Sequence, residues 1–345
     1  MRYFGKGIAP EVAIELAKAE RVFIIGIVAP RPTLLLANRA ACQLLADLAS
    51  ATGGLIWDEE TRQVFSIARW QADRLDSWQG GVPDLTKHVT MHAYADPELV
   101  RIITLGMRKF GHPDLVVSNV PSQHSRAVGN FINAFLQRLG EGQKPEEGKM
   151  SLTLAEIRHQ QVRESALANP GAGAKGVVAV SVKAIPPKQG DPQNVLWNLD
   201  FPEARFKQST ERTMWGMEQL FGSTDRVTMA KSGDAEMAEA SARARKAFFA
   251  QEGFFRAGLP FKEHLLVKAP FTAGDKTEYM WVEITAWRQT EVEGVLSSNP
   301  QFVKTLHPGS KVSVPLVKIY DYLYYKADGT EEGNETGKVL ERMGN

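Results

Sequence analysis

Apolar residues along the chain fall into short runs that alternate between helical and strand-like spacing, which predicts mixed α and β structure throughout. Residues 10–20 set Pro10 at a first helical turn and space Val12, Ile14, Leu16 and Ala17 for one buried side, predicting a short leading helix. Residues 21–27 form a continuous apolar, β-branched run that predicts a strand buried on both faces, ended by Pro30 and Pro32. Residues 33–51 carry Leu34, Leu35, Leu36, Ala40, Leu44, Leu45 and Leu48 at helical spacing, and Gly53-Gly54 stops them. A hairpin is predicted from 55–57 and 63–65 around Asp58, Glu59 and Glu60. Ser66 is placed as an N-cap before 68–75.

Residues 87–94 alternate so that His88, Thr90, His92 and Tyr94 share a strand face. Residues 97–109 suit a helix or a helix running into a strand, and 114–119 a further strand. Val128, Phe131, Ile132, Phe135 and Leu139 give 123–139 one helical stripe, with Ser122 as its N-cap. The polar stretch 141–148, with two Gly and one Pro, predicts a linker. Beyond it a helix is expected over 152–168 and strands near 177–183 and 195–201. Residues 234–251 predict a firm helix capped by Ser232 or Asp234. Short strands punctuated by Gly274-Asp275, Asn299-Pro300, Pro308-Gly309 and Asp328-Gly329 follow, the last one near Val339.

The fold class is therefore α+β: a mixed α/β, sandwich-like domain over residues 1–142, a connecting α/β segment over 143–232, and over 233–345 a helix with a small, strongly bent β-sheet or barrel. At 345 residues the chain has room for two or three domains. Lys plus Arg number 41 against 40 Asp plus Glu, and none of the three stretches departs from neutrality by more than two charges. Nucleic acid is therefore not expected as a partner. The one cysteine, Cys42, excludes an internal disulfide and a cysteine-based zinc site and fits a reducing cytoplasm. Apolar runs are far shorter than the roughly 20 residues of a membrane helix, and Met1-Arg2-Tyr3-Phe4 opens no signal peptide. Neither membrane nor cofactor is expected.

Ala244-Arg245 with Phe248-Phe249, then 267–271, 278–283, Gly294-Val295-Leu296, 306–312 and 319–322 together resemble the YegJ-like family, domain of unknown function 2314. Residues 54–61 with Phe65, Ser66 and Trp70, together with 104–116, resemble the family called domain of unknown function 4261. Neither resemblance implies a catalytic residue. The fusion implies a bacterial accessory protein, of the kind that binds rather than catalyses.

Gly171-Ala-Gly-Ala-Lys-Gly176 fits the letters G-x-G-x-x-G, yet a helix precedes it and a strand follows, the reverse of a dinucleotide fingerprint. It reads as a connector. His88 and His92 have the four-residue spacing of a helical metal pair, but on a strand they stand about 13 Å apart. No metal site is expected. His112-Pro-Asp114 with Ser122 and His124 gathers hydroxyl, imidazole and carboxylate, which points to hydrolase chemistry, although no G-x-S-x-G elbow accompanies it. Asp58, Glu59 and Glu60 read as a solvated turn, and Cys42 as buried filler among leucines.

The aromatic residues of the last domain offer a different kind of site. Alternation over 279–287 sets Tyr279, Trp281, Glu283, Thr285 and Trp287 on one face, and over 319–325 it sets Tyr320, Tyr322 and Tyr324 together. If aliphatic residues fill the core, these aromatic residues lie outward, as protein interfaces use them. The leading expectation is a cytoplasmic, non-catalytic protein-binding module, with toxin immunity as one setting. The alternative is a hydrolase using His92, His112, Asp114 and His124. The two differ in whether convergent titratable groups line a deep pocket or aromatic rings lie on an open face.

Overall fold

The computed structural model describes residues 5–16, 18–95, 99–222, 235–260 and 263–343. In chain order the elements begin with β1 (Gly5–Lys6), α1 (Pro10–Leu16), α2 (Leu34–Thr52), β2 (Ile56–Asp58), β3 (Gln63–Phe65) and α3 (Ile67–Trp70). They continue with β4 (Trp78–Gln79), β5 (Val82–Pro83), α4 (Leu85–His88), β6 (Thr90–Ala95), β7 (Val100–Leu105), β8 (Asp114–Val120) and α5 (Ser125–Gly140). Next come β9 (Lys149–Thr153), α6 (Gln160–Leu167), β10 (Val177–Ile185), β11 (Leu196–Asp200) and α7 (Ser209–Phe221). The C-terminal part holds α8 (Ala235–Ala250), α9 (Glu252–Ala257), β12 (His264–Ala273), β13 (Lys276–Trp287) and β14 (Glu291–Leu296). It closes with β15 (Lys311–Pro315), β16 (Asp321–Tyr325), β17 (Glu331–Gly333) and α10 (Glu335–Met343). Helices and several sheets together make the protein α+β.

Two six-stranded sheets dominate. The first has the order β6-β7-β8-β11-β10-β9, antiparallel except where β11 runs parallel to β8. Helix α5 lays Phe131, Ile132, Phe135 and Leu139 on one face of it, and α7 adds Met217 and Leu220, against Leu115, Val117, Leu152, Val180 and Leu199. Removing an aromatic ring from such a core costs about 3–5 kcal/mol. Helix α7 comes close because it carries no side chain at Gly216, where a Cβ would lie 2.5 Å from the Phe201 ring. The second sheet, β15-β14-β13-β12-β16-β17, is open and antiparallel. Phe248 of α8 packs onto it with Val267, Met280, Val282 and Val292.

Several expectations are corrected. The stretch 141–148 is a turn and not a domain boundary, because β9, β10 and β11 complete the sheet begun by β6, β7 and β8, and one core spans it. The residues between 143 and 222 thus belong with the N-terminal part. Residues 21–27 form no strand: no described strand offers them a ladder, and Val22, Ile24 and Val28 stand exposed. Residues 100–105 are the strand β7 rather than a helix, since Ile102 and Ile103 are needed on opposite faces of a buried strand. The expected helix at 152–168 shrinks to α6 because 149–153 pair with β10. Val339 lies on α10, buried against Met237 and Ala240 of α8, and not on a strand. The C-terminal sheet does not close into a barrel. Helix α7 forms where the apolar pattern predicts no helix, and a capping box between Gln208 and Glu211 starts it. The expected caps Ser232 and Asp234 lie outside the described residues.

Ser66 does cap α3, accepting a hydrogen bond from the Arg69 N–H. Gly53 ends α2 in the left-handed conformation, with its N–H on Ala49 O. The hairpin forms as β2 and β3.

Candidate functional site

Strand β13 decides where the aromatic residues point. Met280, Val282 and Ile284 face the α8 side, which leaves Tyr279, Trp281 and Glu283 on the other face. A β-bulge between Ile284 and Ala286 then breaks the alternation, so Trp287 turns into the core. There it lies flat on Phe248, ring centroids 4.3 Å apart and 6° between planes. Tyr322 is also a core residue: it pairs with Val267 across β12 and β16, and its hydroxyl donates to Glu332 at 3.0 Å. Tyr324 shares that side, half-buried, with its hydroxyl on Glu263. Burial and that carboxylate push the Tyr324 phenol up to about 12. The expectation that all six aromatic residues lie outward is therefore corrected for Trp287, which the bulge turns inward, and for Tyr322 and Tyr324, because on β16 the tyrosines and not Leu323 take the core side.

Of the rest, Tyr279 stands exposed while Trp281 and Tyr320 are half-buried, Tyr320 resting against Met237, Ala240 and Val339. Tyr279 is 46% exposed, and its ring centroid lies 4.4 Å from that of Tyr320. Lys268, paired with Trp281 across β12 and β13, holds its Nζ 5.5 Å from the Trp281 ring centre. Burial lowers the Lys268 ammonium, and Asp321 beside it offsets part of that shift. Asp321 is itself buried, accepting from the Thr336 N–H at 2.8 Å and hydroxyl at 2.5 Å and so fixing the start of α10. The patch is thus mounted on paired strands, with the Tyr320 N–H donating to Lys268 O at 2.7 Å.

Residues 234–345, which carry this sheet and its helices, match one family model. It describes an uncharacterised protein conserved in bacteria, domain of unknown function 2314. No curated protein and no solved structure matches the chain. The family match covers the aromatic patch and leaves the first sheet outside it.

The four candidate hydrolase residues are not brought together. Asp114 is buried at the start of β8, where Thr104 donates at 2.9 Å, Asn194 at 2.8 Å and the Met107 N–H at 3.2 Å. Burial still raises its carboxyl above the ordinary carboxylate value against these donors. His112 is lowered by burial and by Arg31, and His92, on β6, by burial and by Arg62. His124 sits elsewhere, at the contact between the two sheets' units, pushed down to about 4 by burial and by His264. Among the described residues no hydrogen bond joins any two of these four. Two surface grooves, of about 270 and 350 Å³, are lined by Asp84, Lys87, Asn130 and Gln161 and by Phe271, Leu306, Pro315 and Lys318, with none of the four candidates.

Two further readings change, those of His88 and Asp58. His88 is on α4, fully buried between the Trp78 and Phe110 rings, and not on a strand beside His92. Asp58 is no solvated turn residue: it is buried, accepting from Arg74 at 2.9 Å and Lys109 at 2.6 Å. Burial opposes its ionisation, but Lys109 and Arg74 prevail and hold the carboxyl well below the carboxylate range. Arg74 in turn lies over the Phe65 ring, 4.5 Å from its centre. Cys42 is buried and its thiol is pushed up to about 11 by burial, which leaves it protonated and inert. Gly171 and Gly176 form a connector tied to the end of α7 through Gly171 N–H to Phe221 O and Gly176 N–H to Gln219 O. Among the described residues no cluster of three or more His, Cys, Asp or Glu could hold a metal, and no helix is long and apolar enough to cross a membrane.

One charged residue of the aromatic face carries a role that its place in the sequence pattern does not announce. Glu283 is fully buried, reaching from β13 to the 3-10 turn Ser122–His124 that precedes α5. Its signal in the sequence is slight: a carboxylate flanked by Val282 and Ile284 within a strand.

Proposed function

We propose that the protein is a non-catalytic protein-binding module, and that Tyr279, Trp281 and Tyr320 on the C-terminal sheet form its contact surface. The observation that carries this reading is the exposed Tyr279 ring packed on Tyr320 beside a Trp281 whose face Lys268 covers. Rings mounted on a paired strand lose little freedom when a partner covers them, and Tyr and Trp supply large contact area with a polar edge. The candidate catalytic groups support the same reading from the other side, since Asp114 is engaged in fixing the start of β8. An accessory or immunity role in the bacterial cytoplasm, where a protein partner is occluded rather than transformed, is the setting we propose.

The test is comparative capture from the native bacterium with full-length wild type and with the Tyr279→Ala, Trp281→Ala double variant, both checked for folding by circular dichroism. A protein retained by the first and lost from the folded second supports the surface. Equal retention by both, or no retained protein, contradicts it.

A further inference from the structure

Residues 22–28, Val-Phe-Ile-Ile-Gly-Ile-Val, have the makings of a strand but no sheet. Val22 is 80% exposed, Phe23 63%, Ile24 90%, Ile27 49% and Val28 100%. Among the described residues no backbone hydrogen bond reaches 20–29, although turns close on either side, Ala19 N–H on Leu16 O and Thr33 N–H on Pro30 O. A run of this kind, β-branched and aromatic with neither charge nor proline, gains most from lying against another strand and least from standing in water.

The N-terminal sheet has the converse defect, an edge without a strand. β6 ends that sheet, bonded to β7 on one side and, among the described residues, to no strand on the other. Sheet edges are ordinarily guarded by charge, by proline or by shortness. The other end strands follow that rule. β15 carries Lys311 and Pro315, and β17 carries Glu331 and Glu332. β9 begins with Lys149, and the Gln143 amide occupies its Ser151 carbonyl at 2.9 Å. β1 and β2 have two and three residues. β6 has six, Thr-Met-His-Ala-Tyr-Ala, with no Asp, Glu, Lys, Arg or Pro, and its Met91 and Tyr94 are each 37% exposed.

We propose that the protein forms a two-fold dimer in which residues 22–28 of each copy pair along β6 of the other, extending each six-stranded sheet to seven. Within one chain the run and the edge stay apart, and both remain open to a neighbour. Their lengths match, seven residues against six, and neither run brings a like charge to the other. Because each copy holds both the unpaired run and the unpaired edge, one exchange satisfies all four, and the association closes at two chains instead of growing into a fibre. Covering the five exposed side chains in both copies removes on the order of 1,200 Å² from water before the β6 edges are counted, which reaches the range of stable interfaces.

The experiment measures the mass of the full chain by light scattering after size exclusion, together with hydrogen exchange of the same sample. Wild type is expected to have the mass of two chains, and Ile24→Lys that of one, with unchanged circular dichroism because Ile24 is exposed in the single chain. In the dimer, 22–28 and the outward amides of 90–95 should be protected together, and both should lose that protection on dilution to monomer. A monomeric wild type overturns the proposal, including one whose 22–28 is protected, since the run then pairs within its own chain. A dimer that Ile24→Lys leaves intact overturns it, and so does one that protects 22–28 while 90–95 exchanges freely, the mark of two runs pairing with each other. Should Ile24→Lys fail to fold, the exchange of wild type across the dilution series decides the matter alone.

Discussion

Arg101 and Asp191 face each other as a two-pronged ion pair, Nη1 to Oδ1 at 2.6 Å and Nη2 to Oδ2 at 2.9 Å, with neither side chain reaching solvent. Arg101 lies on β7, Asp191 in the loop between β10 and β11, so the pair fastens that loop over the sheet. Burial would raise the Asp191 carboxyl, but hydrogen bonds from Arg101 and the Lys188 N–H outweigh it and hold it low. Asp191→Ala strands the guanidinium and is expected to cost about 3–5 kcal/mol in urea denaturation. Limited proteolysis should then cut within 186–194, a site that wild type protects.

Among the described residues Asp58 is the one carboxylate that Arg74 and Lys109 share in their buried contact. Asp58→Asn is expected to cost about 3–5 kcal/mol at pH 7, because two cations lose their counter-charge. Its folded value lies below 3.8, so its contribution is complete above that pH and is lost as acid titrates it. The stability gap between wild type and variant should therefore narrow below pH 3.8, as chemical denaturation across that range will show.

Trp287→Ala and Tyr279→Ala separate core from surface. The first removes the ring stacked on Phe248 and is expected to cost about 3–5 kcal/mol. Tyr279→Ala should stay within about 0.5–1 kcal/mol, as a half-exposed residue does. Thermal melts of the two variants side by side check this.

Gly309 has φ +90°, and a Cβ there would lie 2.6 Å from Thr210 O. Gly309→Ala combines backbone strain with a clash against the main chain of α7. Hydrogen exchange should rise at 208–211 and 307–311 while the cores of both sheets keep their protection.

What the chain's pattern revealed depended on how local the cause was. Val128, Phe131, Ile132, Phe135 and Leu139 announced α5 because a helix that buries one stripe writes its own period. The hairpin of β2 and β3 was readable from its turn. Trp287 was not, because a single bulge reversed the alternation on which its outward placement rested. Residues 21–27 look like a buried strand by composition, yet a strand requires a neighbour, and none is supplied among the described residues. Glu283 meets Ser122 across 161 positions, a contact that no local pattern encodes. Of the six aromatic candidates, Tyr279 and Trp281 kept the side of β13 opposite Met280 and Val282, and the pairing rather than the residue type decided it.

The binding surface is tested most directly by a photoactivatable amino acid placed at Tyr279, with irradiation of the living bacterium and mass-spectrometric identification of adducts. The account predicts a discrete adduct with one protein, absent when Trp281→Ala is added and absent when the same probe replaces Val177 on the first sheet. No adduct at position 279, or an identical set of adducts from positions 279 and 177, would contradict it.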